Sequence, residues 1–229
     1  MPTVMVTSDS LYRLMTWLSP SYPVGAYTFS QGIETAVEAE LIATGEDAEN
    51  WIADMLRCGN GQADVAFLAR AWEAASDAKQ LRTIVEHVLA FQPTAELRRE
   101  ITAQGDAFLK ASTAIWKCEE IELLQSVLVA GCPYPVAVGV AAKGHGVERH
   151  AAMVAFAQGY VSNLVSAAVR LIPLGQTDGQ RIIANLMPLV LETVDTVADI
   201  PLENVATATI IADILSMQHE SQYTRLFRS

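Results

Sequence analysis

Ala151-Ala-Met-Val-Ala-Phe-Ala-Gln-Gly-Tyr-Val-Ser-Asn-Leu-Val-Ser-Ala-Ala-Val169 runs for nineteen residues without a charge, between Arg149 and His150 on one side and Arg170 on the other. That length is enough to span a bilayer. Composition argues against it, because the stretch contains Gln158, Ser162, Asn163 and Ser166 and is rich in alanine rather than leucine. A helix apolar on most sides needs apolar neighbours. The segment is therefore read as a central helix surrounded by other helices.

Helical periodicity recurs on both sides of it, and no alternating strand pattern interrupts. Predicted helices cover 9–18, 29–42, 47–58, 62–75, 77–90, 95–116, 119–130, 135–142, 147–171, 178–197 and 203–217. Gly59, Gly61, Pro93, Gly131, Pro133, Pro173 and Gly175 punctuate them. Thr28 with Gln31, and Thr177 with Gln180, have capping-box spacing, so one helix is expected to start at Phe29. Pro188 falls inside a predicted helix and is expected to kink it. No repeat, low-complexity tract or linker divides the chain. The expectation is an all-α fold, a single-domain compact bundle of about ten helices over residues 1–229.

At 229 residues the chain is long enough for a substantial core, and 51% of it is hydrophobic. Fifteen basic against 26 acidic residues give a net charge of −11. Such a surface repels phosphate backbones and anionic lipid, which disfavours nucleic-acid and membrane partners. Met1-Pro-Thr lacks the basic and apolar regions of a secretory signal. Cys58, Cys118 and Cys132 are isolated and odd in number, as expected of reduced thiols in a cytoplasmic protein.

Function is concentrated at the two ends. Ser19-Pro-Ser-Tyr-Pro-Val-Gly-Ala-Tyr-Thr-Phe-Ser-Gln-Gly-Ile-Glu34 places two prolines and Gly25 among the ordered aromatics Tyr22, Tyr27 and Phe29. Gly25 supplies a turn position where φ can be positive. Met217-Gln-His-Glu-Ser-Gln-Tyr-Thr-Arg-Leu-Phe-Arg-Ser229 is unlike the usual small polar tail. It carries Tyr223, Arg225, Leu226 and Phe227, residue types suited to interface anchors. Residues 218–229 are therefore expected to be a partner-binding tail. If the segment turns helically, Tyr223, Leu226 and Phe227 share one face. Deleting it is expected to leave helix content and melting temperature unchanged while abolishing recruitment.

Three internal segments join these: Ala95-Glu-Leu-Arg98 with Gly105 and Phe108, Pro135-Val-Ala-Val-Gly-Val140, and Arg170-Leu-Ile-Pro-Leu-Gly-Gln-Thr-Asp-Gly-Gln180. Together and in order, the five segments resemble the urease accessory protein F (UreF) family. The resemblance implies a homodimer that binds the D-type (or H-type) accessory protein, recruits the G-type accessory GTPase and docks on apo-urease. Nickel and GTP would be handled by those partners, with no cofactor bound tightly here. Candidate partner-binding residues are Tyr22, Gly25, Tyr27, Arg170, Gln176, Tyr223, Arg225, Leu226 and Phe227. The resemblance also admits a role in trans on the GTPase, through Arg225 or Gln176.

Catalytic and metal signals are faint. His145-Gly-Val-Glu148-Arg-His150 is not His-Glu-x-x-His, and Gly144 and Gly146 place His145 in a turn. His87 reads as a helix residue satisfied locally, and His219 as an interface hydrogen-bonder. Gly175-Gln-Thr-Asp-Gly179 precedes a helix but no Gly-Lys-Ser/Thr follows, so it is not a phosphate loop. Glu96 and Arg98 either pair or face solvent. The rival readings are an all-α enzyme, with a pocket walled by Tyr22, Tyr27, Phe29 and a buried histidine, and a helical adaptor unrelated to urease.

Overall fold

The computed structural model describes residues 7–229; the expectation drawn from Met1-Pro-Thr lies outside them. Among the described residues there are eleven α-helices and no strand. They are α1 Ser8–Trp17, α2 Ile33–Glu38, α3 Gly45–Cys58, α4 Asn60–Glu73, α5 Ala78–Phe91, α6 Ala95–Ile115, α7 Glu119–Val127, α8 Tyr134–Gly144, α9 Arg149–Leu171, α10 Gln176–Val197 and α11 Ile210–His219.

Side chains start several of these helices where orphan backbone N–H groups need acceptors. Thr44 and Asp47 form a reciprocal capping box on α3. Asp77 accepts from the Lys79 and Gln80 amides at α5, and Thr94 from Leu97 at α6. The Glu148 carboxylate accepts from the His150 and Ala151 amides at α9.

The helix buried all round is α8. Pro135 to Ala142 is buried at every position, packed against α4, α6, α7 and α9. Its glycine-containing sequence lets backbones meet. On the α6 side, a Cβ at Gly105 would lie 1.9 Å from the Cys132 carbonyl oxygen. α9 is surrounded by other helices as expected: it packs against α10, α4, α3, α2, α8 and α1, buries Met153, Phe156, Val161, Leu164 and Val165, and exposes only Gln158 and Ser166 between Ala151 and Val169. Among the described residues it is the one helix long and apolar enough to cross a membrane, and half of that window is buried inside the protein. One hydrophobic cluster runs from Leu14 on α1 to Leu215 on α11.

Two elements depart from the sequence reading. The helix expected over 29–42 is only Ile33–Glu38. The Thr28 hydroxyl donates to the Gly25 carbonyl instead of capping, and Gln31 and Gly32 take left-handed φ values of 53° and 83°. Glu40, φ 58°, ends the helix. The helix expected over 203–217 is a 3-10 turn, Leu202–Asn204, an extended stretch, then Ile210–His219. The extended stretch hydrogen-bonds to neighbours rather than to itself: the Ala208 amide donates to the Cys58 carbonyl, and the Gln62 amide group to that of Ala206. Pro188 sits inside α10 as expected. The Thr177–Gln180 capping box does not form; α10 starts earlier, with the Gly175 amide donating to Asp178 at 3.1 Å.

Candidate functional site

The two segments singled out at the ends of the sequence meet in space. Gly25 takes the left-handed conformation, φ 73°, and a 3-10 turn, Ala26–Thr28, follows it. The chain then runs beside the tail, 220–229, which is not helical. The Arg228 amide donates to the Thr28 carbonyl at 2.8 Å. The Ser229 backbone oxygen accepts from the Ser30 amide at 2.8 Å and the Ser30 hydroxyl at 2.5 Å. Thr35 on α2 donates to the Gln222 side chain at 3.0 Å. The tail is thus bound to its own chain.

Three carboxyl groups hold it. Glu34, in the first turn of α2, accepts from the Leu226 amide at 2.6 Å and the Phe227 amide at 2.9 Å. Glu96 and Glu100 lie one turn apart on α6. Glu96 meets Arg225 Nη1 at 3.2 Å. His219, with no exposed surface, bridges the first two: Nδ1 is 2.9 Å from Glu96 Oε2 and Nε2 is 3.0 Å from Glu34 Oε2. Glu100 accepts from Ser229 Oγ at 2.7 Å, Gln31 Nε2 at 2.9 Å and Gln104 Nε2 at 3.1 Å. The Tyr160 hydroxyl on α9 donates to Gln31 Oε1 at 2.7 Å. Gln31 therefore spends both ends of its amide here, which sustains its left-handed backbone.

Burial dominates the electrostatics. It raises the Glu96 carboxyl above its usual range, against the pull of His219 and Arg225. It pushes Glu100 up to about 7, against three donors. Asp64 on α4, facing Glu100, is raised well above the carboxylate range by burial and then by that neighbour. Both acids and Tyr160 line a cavity of ≈ 240 Å³. Tyr22 and Tyr27 also reach it, but neither Phe29 nor any histidine is among its lining residues, which alters the pocket expected of an enzyme.

The nine candidate residues divide by exposure. Tyr223, Leu226 and Tyr27 stand out in solvent, at 104%, 62% and 61%. Arg225 is partly exposed. Phe227 is buried, at 3%, beneath Arg170, whose guanidinium lies 4.2 Å from its ring centre and donates to the Tyr27 carbonyl at 2.7 Å. Tyr223, Leu226 and Phe227 therefore do not share a face: without helical turns the first two point outward and the third inward. Tyr22 is also buried, against Phe108, with its hydroxyl 3.1 Å from Ser112 Oγ. Gln176 is exposed at the start of α10 and shares no hydrogen bond with the tail. The anion position at that helix end is taken by Asp178.

Sequence reasoning missed Glu34, Glu100, Gln31 and Ser229. One signal was present: Glu96-Leu97 and Glu100-Ile101 repeat at a four-residue interval, which puts the acids on the same side of α6 as the core residues. Glu96 neither pairs with Arg98 nor faces solvent. His219 is a hydrogen-bonder, within its own chain. His145 Nε2 contacts the Trp116 carbonyl at 3.0 Å and His150 contacts Asp195, so the two do not converge. His87 packs against Phe67 and Phe91. Among the described residues no cluster of three or more His, Cys, Asp or Glu could hold a metal ion.

Residues 42–187 match the family model described as UreF. The chain is 45% identical over 224 residues to the urease accessory protein UreF of Rhodopseudomonas palustris strain BisB5, covering 97% of this chain and 92% of that one. It is 45% identical to the protein of the same name from Bradyrhizobium diazoefficiens over 222 residues, 96% of this chain and 92% of the other. For that of Azorhizobium caulinodans the identity is 43% over 222 residues, 96% of each chain.

Proposed function

The chain belongs to the UreF family of urease accessory proteins, and from that premise we propose that it is a non-catalytic scaffold for delivery of nickel to apo-urease. It pairs with a second copy of itself, binds the D-type or H-type accessory protein, and with it recruits the G-type GTPase. GTP hydrolysis by that subunit drives the delivery, and the work is done in the cytoplasm. The whole of residues 1–229 acts as one domain.

The observation that carries this reading is the docked tail. It presents the exposed Tyr223 and Leu226, with Arg225 and Arg228, on a protein whose net charge is −11. Aromatic and arginine side chains of this kind anchor protein interfaces. Because the tail is already ordered, binding there avoids most of the entropic cost of folding it.

The test is co-purification with the D-type protein and the G-type GTPase. The double variant Tyr223→Ala, Leu226→Ala removes only exposed side chains, so it should fold normally. It is expected to weaken recruitment by about 2 kcal/mol or more, the loss typical of an interface hot spot. Undiminished complex formation by this variant would overturn the assignment of the surface. The isolated chain is expected to carry no stoichiometric nickel after gel filtration and to hydrolyse no GTP. Light scattering is expected to give twice the chain mass, and specific dimers bury on the order of 1,600 Å² in total.

A further inference from the structure

The tail closes over three carboxyl groups and brings a single guanidinium to them. Glu34, Glu96 and Glu100 are all buried, and Arg225 reaches only Glu96. Between Glu34 and Glu96, both ring nitrogens of His219 lie at hydrogen-bond distance from carboxylate oxygens. A neutral imidazole carries one N–H and so can donate only once. For both contacts to be hydrogen bonds, one further proton must sit on the ring or on one of the two carboxyls.

The neighbouring elements add no countercharge. Just after α11, Glu220 acts on Glu96 as a second acid. From α4, Asp64 faces Glu100, and from α9 comes only the Tyr160 hydroxyl. Arg170 is engaged with Phe227 and the Tyr27 carbonyl. The donors to Glu100 are two amides and a hydroxyl, all neutral. Closing the tail with every acid ionised would bury uncompensated negative charge, which is costly.

We propose that the tail is a proton-linked clasp: docking over the buried acid cluster traps protons on the Glu96 and Glu100 carboxyls, and the clasp opens as those protons leave. The sign follows from the direction of the shifts. Burial raises Glu100 from 4.5 to about 7 in the closed form, and the share of that burial that the docked tail supplies makes docking take up a proton within that interval. The clasp is fully held below the lower value and loosens as pH rises through the upper one. Each proton taken up changes the docking equilibrium about tenfold per pH unit within the window.

Hydrogen exchange of the whole chain, read by mass spectrometry from roughly pH 5 to pH 8 and corrected for intrinsic rates, tests this. The readout is protection of the peptide covering 220–229, where the Leu226 and Phe227 amides bond Glu34. Its protection is expected to fall by up to about tenfold per unit between pH 5 and pH 7 and to level off above, while α8 keeps its own. Glu100→Gln and Glu96→Gln cannot release a proton at those positions, and each is expected to flatten the profile. Tail protection that does not change with pH in the unmodified chain would overturn the proposal, as would a tail unprotected throughout. So would an undiminished slope in both variants with native circular dichroism. Should a variant unfold, the profile of the unmodified chain decides.

Discussion

His219 stands between two buried glutamates, and removing it leaves them facing one another with no ring between. His219→Ala is expected to destabilise the fold by about 3 kcal/mol, from two buried carboxyl groups left without their partner, read from the urea midpoint. Gly25 is a simpler case. A Cβ there would meet nothing within 4 Å, so any penalty comes from its left-handed backbone alone. Gly25→Val is expected to cost about 1–2 kcal/mol in the same measurement, and Gly25→Asn distinctly less. The thiols separate by environment. Cys132 is fully buried and burial raises its thiol far above the usual range, with Asp106 adding to the effect; Cys118 is half-buried and raised by burial. An alkylating reagent at neutral pH is expected to label Cys58 first, Cys118 more slowly, and Cys132 only on unfolding, as followed by peptide mass.

At the scale of elements, the structure reverses one expectation. The tail was expected to be dispensable for stability, yet it buries Phe227 and supplies partners to Glu34, Glu96 and Glu100. Deleting 218–229 is therefore expected to cost at least about 3 kcal/mol, from lost burial and orphaned polar groups. In a chain of this size that lowers the melting temperature by roughly 6–12 °C, seen by calorimetry or circular dichroism. Gly105→Ala should force α6 and α8 apart, at about 3 kcal/mol. The long helices were legible because each shows a 3.6-residue period between glycine or proline stops. α2 and α11 were overestimated because Gln31 and residues 205–209 satisfy their backbone or side chains through distant neighbours, which local pattern does not contain. The acid cluster was hidden for the same reason: His219 is 123 residues from Glu96 and 185 from Glu34. Exposed Tyr223 and buried Phe227 look equally anchor-like in sequence, since only the tail's path over α2 and α6 tells them apart.

For the molecule as a whole, α8 sets the order of stability. Its amides are buried on every side between α4, α6, α7 and α9, and they are expected to exchange more slowly than any in the exposed turns or the tail. The clasp of the tail is also ordered in time. Glu34 is synthesised long before the groups that will meet it, Leu226 and Phe227 following it by 192 and 193 residues. At about 5–20 residues per second, translation leaves that carboxylate waiting on the order of ten to forty seconds. During that interval α3 to α10 are made and can begin to pack, with Glu34 still lacking its two donors from the tail. The seam between Glu34 and the Leu226 and Phe227 amides thus closes only after α3 to α10 have been made.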